Sequence, residues 1–130
     1  EMVPLCRDQG VGLIPWSPLA RGYLARAPEA KGTKRSETDR FGKTLYSSMA
    51  EADQRVLAGV DKLAKTRNLP HAQIALAWLL QKDAVAAPIV GATKMEHLET
   101  AVGALGVQLS GEEVTALEAP YVAHPIAGFS

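Results

Sequence analysis

The sequence predicts an α/β fold with parallel strands, and three observations carry that prediction. Residues 11–15 form a short apolar run bounded by glycines and a proline, which is typical of a buried strand. Residues 84–90 are apolar at consecutive positions, as in a parallel strand covered on both faces. Segments with helical periodicity separate and follow these runs. The order indicates βα units, and because two parallel strands do not form a stable sheet alone, further strands are expected elsewhere.

The first part of the chain predicts a helix end and a long loop. Residues 2–9 are typical of the end of a short helix closed by Gly10, so we expect a chain that begins partway through a fold. After the first strand, Ser17-Pro18 imposes a turn. Residues 21–48 are polar and basic without a sustained period, and a loop of that length is expected to be a lid or the margin of a site.

Two helices are predicted between the strands. The first runs from about Ala50 to Arg67, because Ser48–Glu51 reads as a capping box and apolar residues then recur at a spacing of three and four. These apolar residues are Val56, Leu57, Val60, Leu63 and Ala64. Asn68-Leu69-Pro70 breaks this helix, and residues 71–81 resume as a largely apolar one with the proline in its first turn.

Two more helices are predicted after the second strand. One spans about residues 93–105, with Leu98, Ala101, Val102 and Leu105 on one face. The other begins with a capping box at Ser110–Glu113 and ends near Leu117.

Composition narrows the classes of function. With 130 residues the chain fits a single domain, and its 14 basic and 14 acidic residues cancel, so neither a nucleic acid nor a membrane surface is an expected partner. A single cysteine, Cys6, fits a reducing compartment, and the expected location is the cytoplasm. No cluster of His, Cys, Asp or Glu has the spacing of metal ligands, and no run is long enough to span a membrane.

The segment from Pro88 to Leu98 predicts an anion site. An apolar strand passes through a glycine turn into a helix that Thr93 can cap, with Glu96 as its capping-box partner. The free N–H groups of the first helical turn then point at an anion above the strand end. Residues 11–22 offer more backbone and basic groups after the other strand. Together the two segments indicate a phosphate-bearing cofactor.

Four segments in order resemble one known family. They are residues 14–22, 75–80, 88–93 and 117–129. They resemble the C-terminal part of an aldo-keto reductase, in particular of the bacterial aryl-alcohol-dehydrogenase-like branch. The resemblance implies an α/β fold that is the C-terminal part of a (β/α)₈ TIM barrel. Residues 1–130 would supply strands seven and eight with their helices, as one portion of a single barrel domain of about 250 residues.

The resemblance also implies NADP(H) as the cofactor and a set of residues that bind it. The residues expected along the pyrophosphate and nicotinamide are Trp16, Ser17, Pro18, Leu19 and Arg21, with Arg35 near the phosphates. Those expected around the 2′-phosphate and adenine are Gly91, Ala92, Thr93, Lys94 and His97. Thr100 and Ala101 stand where relatives often carry Glu-Asn toward the adenine, which leaves the preference for NADPH over NADH open.

Each of these residues also has a purely structural interpretation. Trp16 could be a core aromatic, Ser17-Pro18 could simply turn the chain, and His97 could be a surface histidine. Lys34 and Arg35 could belong to a solvated basic loop. The C-terminal tail, with Tyr121, His124 and Phe129, could border a substrate pocket or pack against the barrel exterior or a neighbouring subunit.

The function implied is NADPH-dependent reduction of an aldehyde or ketone to an alcohol, with a small-molecule carbonyl as substrate. The family's catalytic Asp, Tyr, Lys and His come from earlier strands, so no catalytic residue is assigned here, and Asp39, Tyr46 and His71 are expected to be structural or exposed. The 130 residues alone are therefore expected to be inactive. Two alternatives remain open: a non-catalytic nucleotide-sensing barrel, and a truncated inactive product with exposed apolar faces.

Overall fold

The computed structural model describes residues 1–28 and 51–123. In this part the helices are α1 (Met2–Asp8), α2 (Glu51–Arg67), α3 (His71–Leu80), α4 (Met95–Gly103) and α5 (Gly111–Glu118). Two 3₁₀ segments, Ala20–Ala25 and Ala104–Gly106, complete the set. Each predicted helix is therefore present. The predictions for Lys34, Arg35, Asp39, Tyr46, Ser48, His124 and Phe129 lie outside the described residues.

Gly10 ends α1 as the sequence predicts. Its φ is +65°, in the left-handed region that glycine adopts without a Cβ penalty. The Gly10 N–H donates to the Arg7 carbonyl at 3.3 Å, and the Val11 N–H donates to the Cys6 carbonyl at 2.8 Å. This pair of hydrogen bonds is a Schellman motif, which satisfies the last carbonyls of the helix and directs the chain into the first apolar run.

The two predicted strands lie side by side in parallel, but neither forms a regular strand in the described part of the chain. They meet at two isolated parallel bridges, Leu13 with Val85 and Trp16 with Ile89. The two bridges are three positions apart on the first segment and four positions apart on the second. Pro15 and Pro88 lack the N–H that a continuous ladder needs. The prediction of two parallel segments is confirmed, and the prediction of two regular strands is wrong.

The second segment has one residue more than the first between the two bridges, and the Leu13 carbonyl accommodates it. The Leu13 carbonyl accepts from the Ala86 N–H at 2.8 Å and from the Ala87 N–H at 3.5 Å. Two consecutive donors on one acceptor are characteristic of a β-bulge. The bulge shifts the register by one, so that Ile89, rather than Pro88, stands opposite Trp16.

The core lies between α2, α3 and α5. Its fully packed members are Val60, Ala64, Ile74, Ala77, Leu109 and Leu117. The predicted face of α2 is confirmed, since Leu57, Val60 and Ala64 are buried. Helix α3 has four consecutive buried residues, 74–77, which fits its position with neighbours on several sides.

Helix α4 differs from its prediction in its bounds and in its buried face. It begins at Met95 rather than Thr93 and its α-helical part ends at Gly103. The predicted apolar face is largely exposed, with 72% of Leu105 accessible. The contact with α3 uses small residues instead. A Cβ on Gly103 would stand 2.2 Å from Nε2 of Gln73, and the following Ala104 is buried. Small residues occupy this contact because they allow the two helices to approach closely.

Polar side chains fasten the helices to one another. Asp61 of α2 lies 2.9 Å from His71 Nε2 of α3 and accepts from Lys65 Nζ at 2.6 Å. The hydrogen bond from Lys65, and then that from His71, lower the pKa of Asp61. At the other end of α3, Trp78 Nε1 donates to Glu118 of α5 at 2.9 Å. These contacts give His71 a structural role in joining α2 to α3.

The predicted capping box at the start of α5 is confirmed and also ties α5 to α2. The Ser110 N–H donates to Glu113 Oε2 at 2.7 Å, and the Glu113 N–H donates to Ser110 Oγ at 3.2 Å. Arg67 at the end of α2 donates to both carboxylate oxygens of Glu113, at 2.8 and 2.9 Å. The Ser110 N–H and then Arg67 hold the pKa of Glu113 below its ordinary value of 4.5.

The lowered pKa predicts how stability depends on pH. A carboxyl with a depressed folded-state pKa stabilises the fold above its unfolded pKa, and that contribution disappears as pH falls through the folded value. Glu113→Gln retains an acceptor for the Ser110 N–H but removes the charge. We expect its free energy of unfolding to be lower than that of the wild type at pH 7, and the difference to shrink below about pH 4.5. Urea unfolding from pH 3 to pH 7 measures this.

The neighbouring Glu112 supplies the control. It lies in the same first turn of α5 and is exposed. Glu112→Gln removes the same charge from the helix terminus without removing the Arg67 contact. An equal pH-dependent loss in both variants would show that the helix dipole, rather than the Arg67–Glu113 pair, carries the effect.

Candidate functional site

The parallel pairing brings the two predicted cofactor segments to one edge. The Ile89 N–H donates to the Pro15 carbonyl at 2.9 Å, and Trp16 bridges Ile89. Because both segments run in the same direction, the residues that follow each bridge leave the pairing on the same side. We call the residues that follow each bridge the exit of that segment. The first exit begins at Ser17, and the second contains Gly91, two residues past Ile89. The sequence separates these segments by about 70 positions, and the fold places them side by side.

The first exit is a tightly wound loop in an uncommon backbone conformation. Ser17, Ala20 and Arg21 have φ values of 52°, 47° and 55°, and Gly22 has a φ of 102°. Left-handed conformation costs a non-glycine residue about 1 kcal/mol or more, and residues held in it cluster at functional sites. Successive N–H groups in alternating helical and left-handed conformations can also converge on an anion. This geometry is compatible with the predicted contact to a pyrophosphate.

The turn geometry of that loop is fixed by its own backbone. The Ala20 N–H donates to the Ser17 carbonyl at 2.9 Å, and the Gly22 N–H donates to the Leu19 carbonyl at 2.9 Å. Pro18 and Leu19 are half-buried. Trp16 is 60% exposed, so it does not lie in the core of the described part. Its bridge with Ile89 places it at the edge where both segments leave the pairing.

The second exit does not contain the predicted capping box. Lys94, with φ −139° and ψ 154°, is the N-cap residue of α4, and no side chain caps the helix. The prediction that Thr93 caps it with Glu96 as partner is wrong, because Lys94 is extended and helical geometry begins one residue later. The absence of a side-chain cap favours an anion site at the start of α4. The first-turn N–H groups of α4 are not taken by a capping side chain.

Thr93 contacts His97 instead of the helix backbone. The Thr93 Oγ1 lies 3.4 Å from His97 Nδ1, one helical turn away. Gly91, Thr93, Lys94 and His97 are all exposed, so their polar groups can reach a ligand. Glu96 adds a negative charge to the same turn, which opposes an anion and must be outweighed by Lys94 and the helix terminus.

An apolar groove elsewhere was not predicted from the sequence. It lies between α1, the paired segments and the C-terminal end of α3, with Leu13, Pro15, Trp78 and Val85 among its lining residues. It contains none of the predicted cofactor residues. The cations at its margin are engaged, since Arg7 donates to Asp83 and Lys82 pairs with Glu118 while lying 4.5 Å above the Trp78 ring.

Gly12 permits the close approach of the paired segments, and a glycine within a strand-like run is the sequence signal for such an approach. A Cβ added at Gly12 would stand 2.9 Å from the Cβ of Ala86, which is fixed to the opposing backbone. Gly12→Ala is expected to push the segments apart and to lower the free energy of unfolding by about 1–3 kcal/mol. Urea unfolding of the full-length protein measures the change.

Gly59 provides a matched control for this substitution. It lies within α2, and a Cβ there would meet nothing within 4 Å. Gly59→Ala is expected to stabilise the protein by about 0.5–1 kcal/mol, because alanine is the better helix former. Equal effects of the two substitutions would contradict a steric role for Gly12.

Within residues 1–28 and 51–123, no three His, Cys, Asp or Glu side chains converge on a point where they could hold a metal ion. Across the same ranges, no helix has both the length and the apolar character needed to cross a bilayer.

Comparison with known proteins gives the family and three curated relatives. The family described as the aldo/keto reductase family matches residues 1–121. The chain is 44% identical over 129 residues to a protein of Schizosaccharomyces pombe named for aryl-alcohol dehydrogenase, covering 98% of this chain and 36% of that protein. It is 41% identical over 123 residues to the versiconal hemiacetal acetate reductase of Aspergillus parasiticus, covering 94% and 36%. An aldo-keto reductase of Fusarium vanettenii is 40% identical over 131 residues, covering 100% and 35%.

A solved structure supports the same relationship. The chain resembles a thermostable aldo-keto reductase crystallised with the inhibitor epalrestat, with a TM-score of 0.63 and 25% identity, over 92% of this chain and 33% of that one. The chain spans little more than a third of the length of the curated relatives named above. Those relatives are fungal, so they give no support to the bacterial branch expected from the sequence. On the family match over residues 1–121, the chain belongs to the aldo/keto reductase family.

Proposed function

We propose that the full-length protein reduces an aldehyde or ketone to an alcohol with NADPH, and that residues 1–130 carry part of its cofactor site. The observation that carries this proposal is the parallel bridge between Trp16 and Ile89. It brings the exits of both predicted cofactor segments to one edge, as binding of one extended dinucleotide requires. The names of the relatives, which are reductases and dehydrogenases, support the same chemistry.

The residues at this edge suit the two anionic parts of NADPH. The start of α4 offers first-turn N–H groups that no side chain caps, and Lys94 and His97 add side-chain donors that would hold the 2′-phosphate. The left-handed loop that begins at Ser17, with the side chain of Arg21, would lie along the pyrophosphate. Trp16 would border the nicotinamide side, and Arg35 belongs to this proposal from the resemblance alone.

The proposed preference for NADPH over NADH rests on charge. NADPH differs from NADH by the 2′-phosphate, and a lysine at a helix N-terminus is a suitable partner for that group. Thr100 and Ala101 offer no carboxylate or side-chain amide toward the adenine. The preference therefore depends on Lys94 and His97 more than on contacts to the base.

The chemistry divides between this part and the rest of the protein. When bound, the dihydronicotinamide supplies hydride to the carbonyl carbon of the substrate. The residues described here bind and orient the cofactor. We place the group that protonates the carbonyl oxygen outside residues 1–130, in earlier strands of one barrel domain in which this portion supplies the last two. Residues 1–130 alone would then be inactive.

Exposed apolar side chains support the view that other strands cover the pair. The paired segments carry three exposed aliphatic side chains, those of Ile14, Ile89 and Val90. Such side chains are expected to be covered when the segments lie within a larger sheet. In a barrel such side chains alternate between the interior and the surrounding helices. The proposed location is cytoplasmic, and the proposed substrate is a small carbonyl compound.

The experiment uses the full-length protein with aromatic and aliphatic aldehydes. NADPH oxidation is followed by absorbance, and NADPH binding by its fluorescence in the absence of substrate. Carbonyl-dependent oxidation together with binding supports the proposed enzyme. Binding without oxidation across the substrate panel would favour the nucleotide-sensing alternative, and absence of both would overturn the proposal.

A further inference from the structure

We propose that Leu24 positions the first exit for the cofactor, although its own side chain packs against the helical core. This inference rests on the proposed function, because it concerns the loop that would lie along the pyrophosphate. Its starting observation is that Leu24 packs against the core cluster shared by α2, α3 and α5. It does so two residues after Gly22, the last left-handed residue of the first exit. Leu24 thereby connects the candidate site to the core of the described part.

The first exit needs an anchor because its backbone is strained. Ser17, Ala20 and Arg21 are left-handed without being glycine, and such conformations persist only where the surrounding structure holds them. The turn hydrogen bonds of the loop do not require this conformation, since a type I turn makes the same bond between positions i and i+3 with no left-handed residue. The support must therefore come from contacts with the rest of the fold.

The backbone ties Leu24 to the strained residues. The Leu19 carbonyl accepts from the Gly22 N–H at 2.9 Å and from the Leu24 N–H at 3.2 Å. The second of these hydrogen bonds closes a loop that contains Ala20, Arg21 and Gly22. A movement of Leu24 away from the core therefore breaks this bond or moves the left-handed residues with it.

The side chain of Leu24 is held by the helices on the other side. The 3₁₀ segment Ala20–Ala25 contacts both α3 and α2. Within it Leu24 is half-buried and packs against the core cluster, whereas the next residue, Ala25, is exposed. Because burial of a leucine side chain is favourable, this contact opposes any conformation that withdraws Leu24 from the helices. The anchor is placed where the first exit ends.

Removal of this anchor is expected to lower the population of the binding-competent loop. Leu24→Ala deletes the packing side chain and keeps the backbone and side chains that the proposed function assigns to the cofactor. If the competent conformation falls to between about a third and a tenth of the molecules, the apparent dissociation constant rises by about three- to tenfold. NADPH and NADH should lose the same factor, because both carry the pyrophosphate.

The test titrates the full-length protein with NADPH, NADH and 2′,5′-ADP by calorimetry. The last ligand keeps the 2′-phosphate and the adenine but has a single 5′-phosphate and no nicotinamide, so it makes little use of the first exit. Leu24→Ala should weaken both dinucleotides by about three- to tenfold and leave the affinity for 2′,5′-ADP within about twofold of the wild type. A merely structural role would not separate the ligands in this way.

Two further variants separate positioning from a general loss of stability. Leu63→Ala truncates another half-buried leucine that packs against the same core cluster, but from α2. It should lower the midpoint of urea unfolding as Leu24→Ala does, while all three ligands bind as they do to the wild type. Leu24→Met keeps an apolar side chain of similar volume and should restore dinucleotide binding.

Hydrogen exchange reports on the loop directly. In the full-length protein without cofactor, Leu24→Ala should speed exchange of the Gly22 amide and of the amide at position 24, both of which donate to the Leu19 carbonyl. Leu63→Ala should leave exchange at these two amides unchanged.

The outcomes distinguish this inference from the proposed function. If neither dinucleotide binds to the wild type, the proposed function fails and this inference fails with it. If both bind and Leu24→Ala binds them as tightly as the wild type does, the role of Leu24 is overturned and the proposed function stands. Equal losses in Leu24→Ala and Leu63→Ala, or an equal loss of affinity for 2′,5′-ADP, would indicate a general defect and would also overturn it. A selective loss of dinucleotide affinity, with faster exchange in the loop, supports it.

Discussion

Replacing Lys94 with alanine is expected to weaken NADPH binding to the full-length protein by about 10- to 100-fold, the equivalent of one charge-assisted hydrogen bond. Lys94 is the N-cap residue of α4, and no side chain competes with a ligand for the first-turn N–H groups. Its charge is therefore placed where the helix terminus already favours an anion. Fluorescence titration with NADPH and NADH measures the effect, and NADH affinity should change much less.

Two matched lysine variants test the specificity of that expectation. Lys94→Arg keeps the cation and should retain most of the NADPH affinity. Lys62→Ala removes an exposed lysine from α2, and should leave both affinities unchanged. Equal losses of NADPH and NADH affinity in Lys94→Ala would indicate a general structural defect and would contradict a contact with the 2′-phosphate.

Helices were predictable because their signals are local. The spacing of Val60 and Ala64 on α2 predicts the buried face that the structure contains, and the Ser110–Glu113 box marks the start of α5. In these places the interaction partners lie within four positions of one another. The sequence alone therefore contains the information that decides the structure.

Strands and helix faces were less predictable because their partners lie far away in the chain. Nothing local indicates that the Leu13 carbonyl accepts from two consecutive residues, which shifts the register by one. The apolar residues of α4 predict a buried face, yet α4 meets α3 through Gly103 and Gln73. Periodicity shows which residues are apolar, but the neighbours available decide which of them are covered.

The candidate site was predicted in its segments but not in its geometry. The glycine turn and the helix after it are present, but the expected Thr93 cap is absent and no side chain caps the helix. The left-handed conformation of Ser17 and Ala20 has no sequence signal, because neither is glycine or asparagine. Local strain of this kind depends on the surrounding fold.

Replacing Ile74 with alanine is expected to lower the free energy of unfolding by about 2–5 kcal/mol, the range for deleting a large aliphatic side chain from a packed core. Ile74 has 0% of its surface accessible and packs in the cluster shared by α2, α3 and α5. Truncation leaves a cavity that rigid helices on several sides cannot fill. Urea unfolding of the full-length protein measures the loss.

A smaller truncation at Ile74 separates the effect of a cavity from a general folding defect. Ile74→Val removes one methylene equivalent and should cost about 0.5–1.5 kcal/mol. A Val variant as unstable as the Ala variant would contradict the cavity account.

Ile89 is 53% exposed in the described part. If further strands cover the paired segments, Ile89→Ala in the full-length protein should approach the cost of Ile74→Ala. A cost near zero would mean that this edge remains open and would remove the packing argument for a closed barrel.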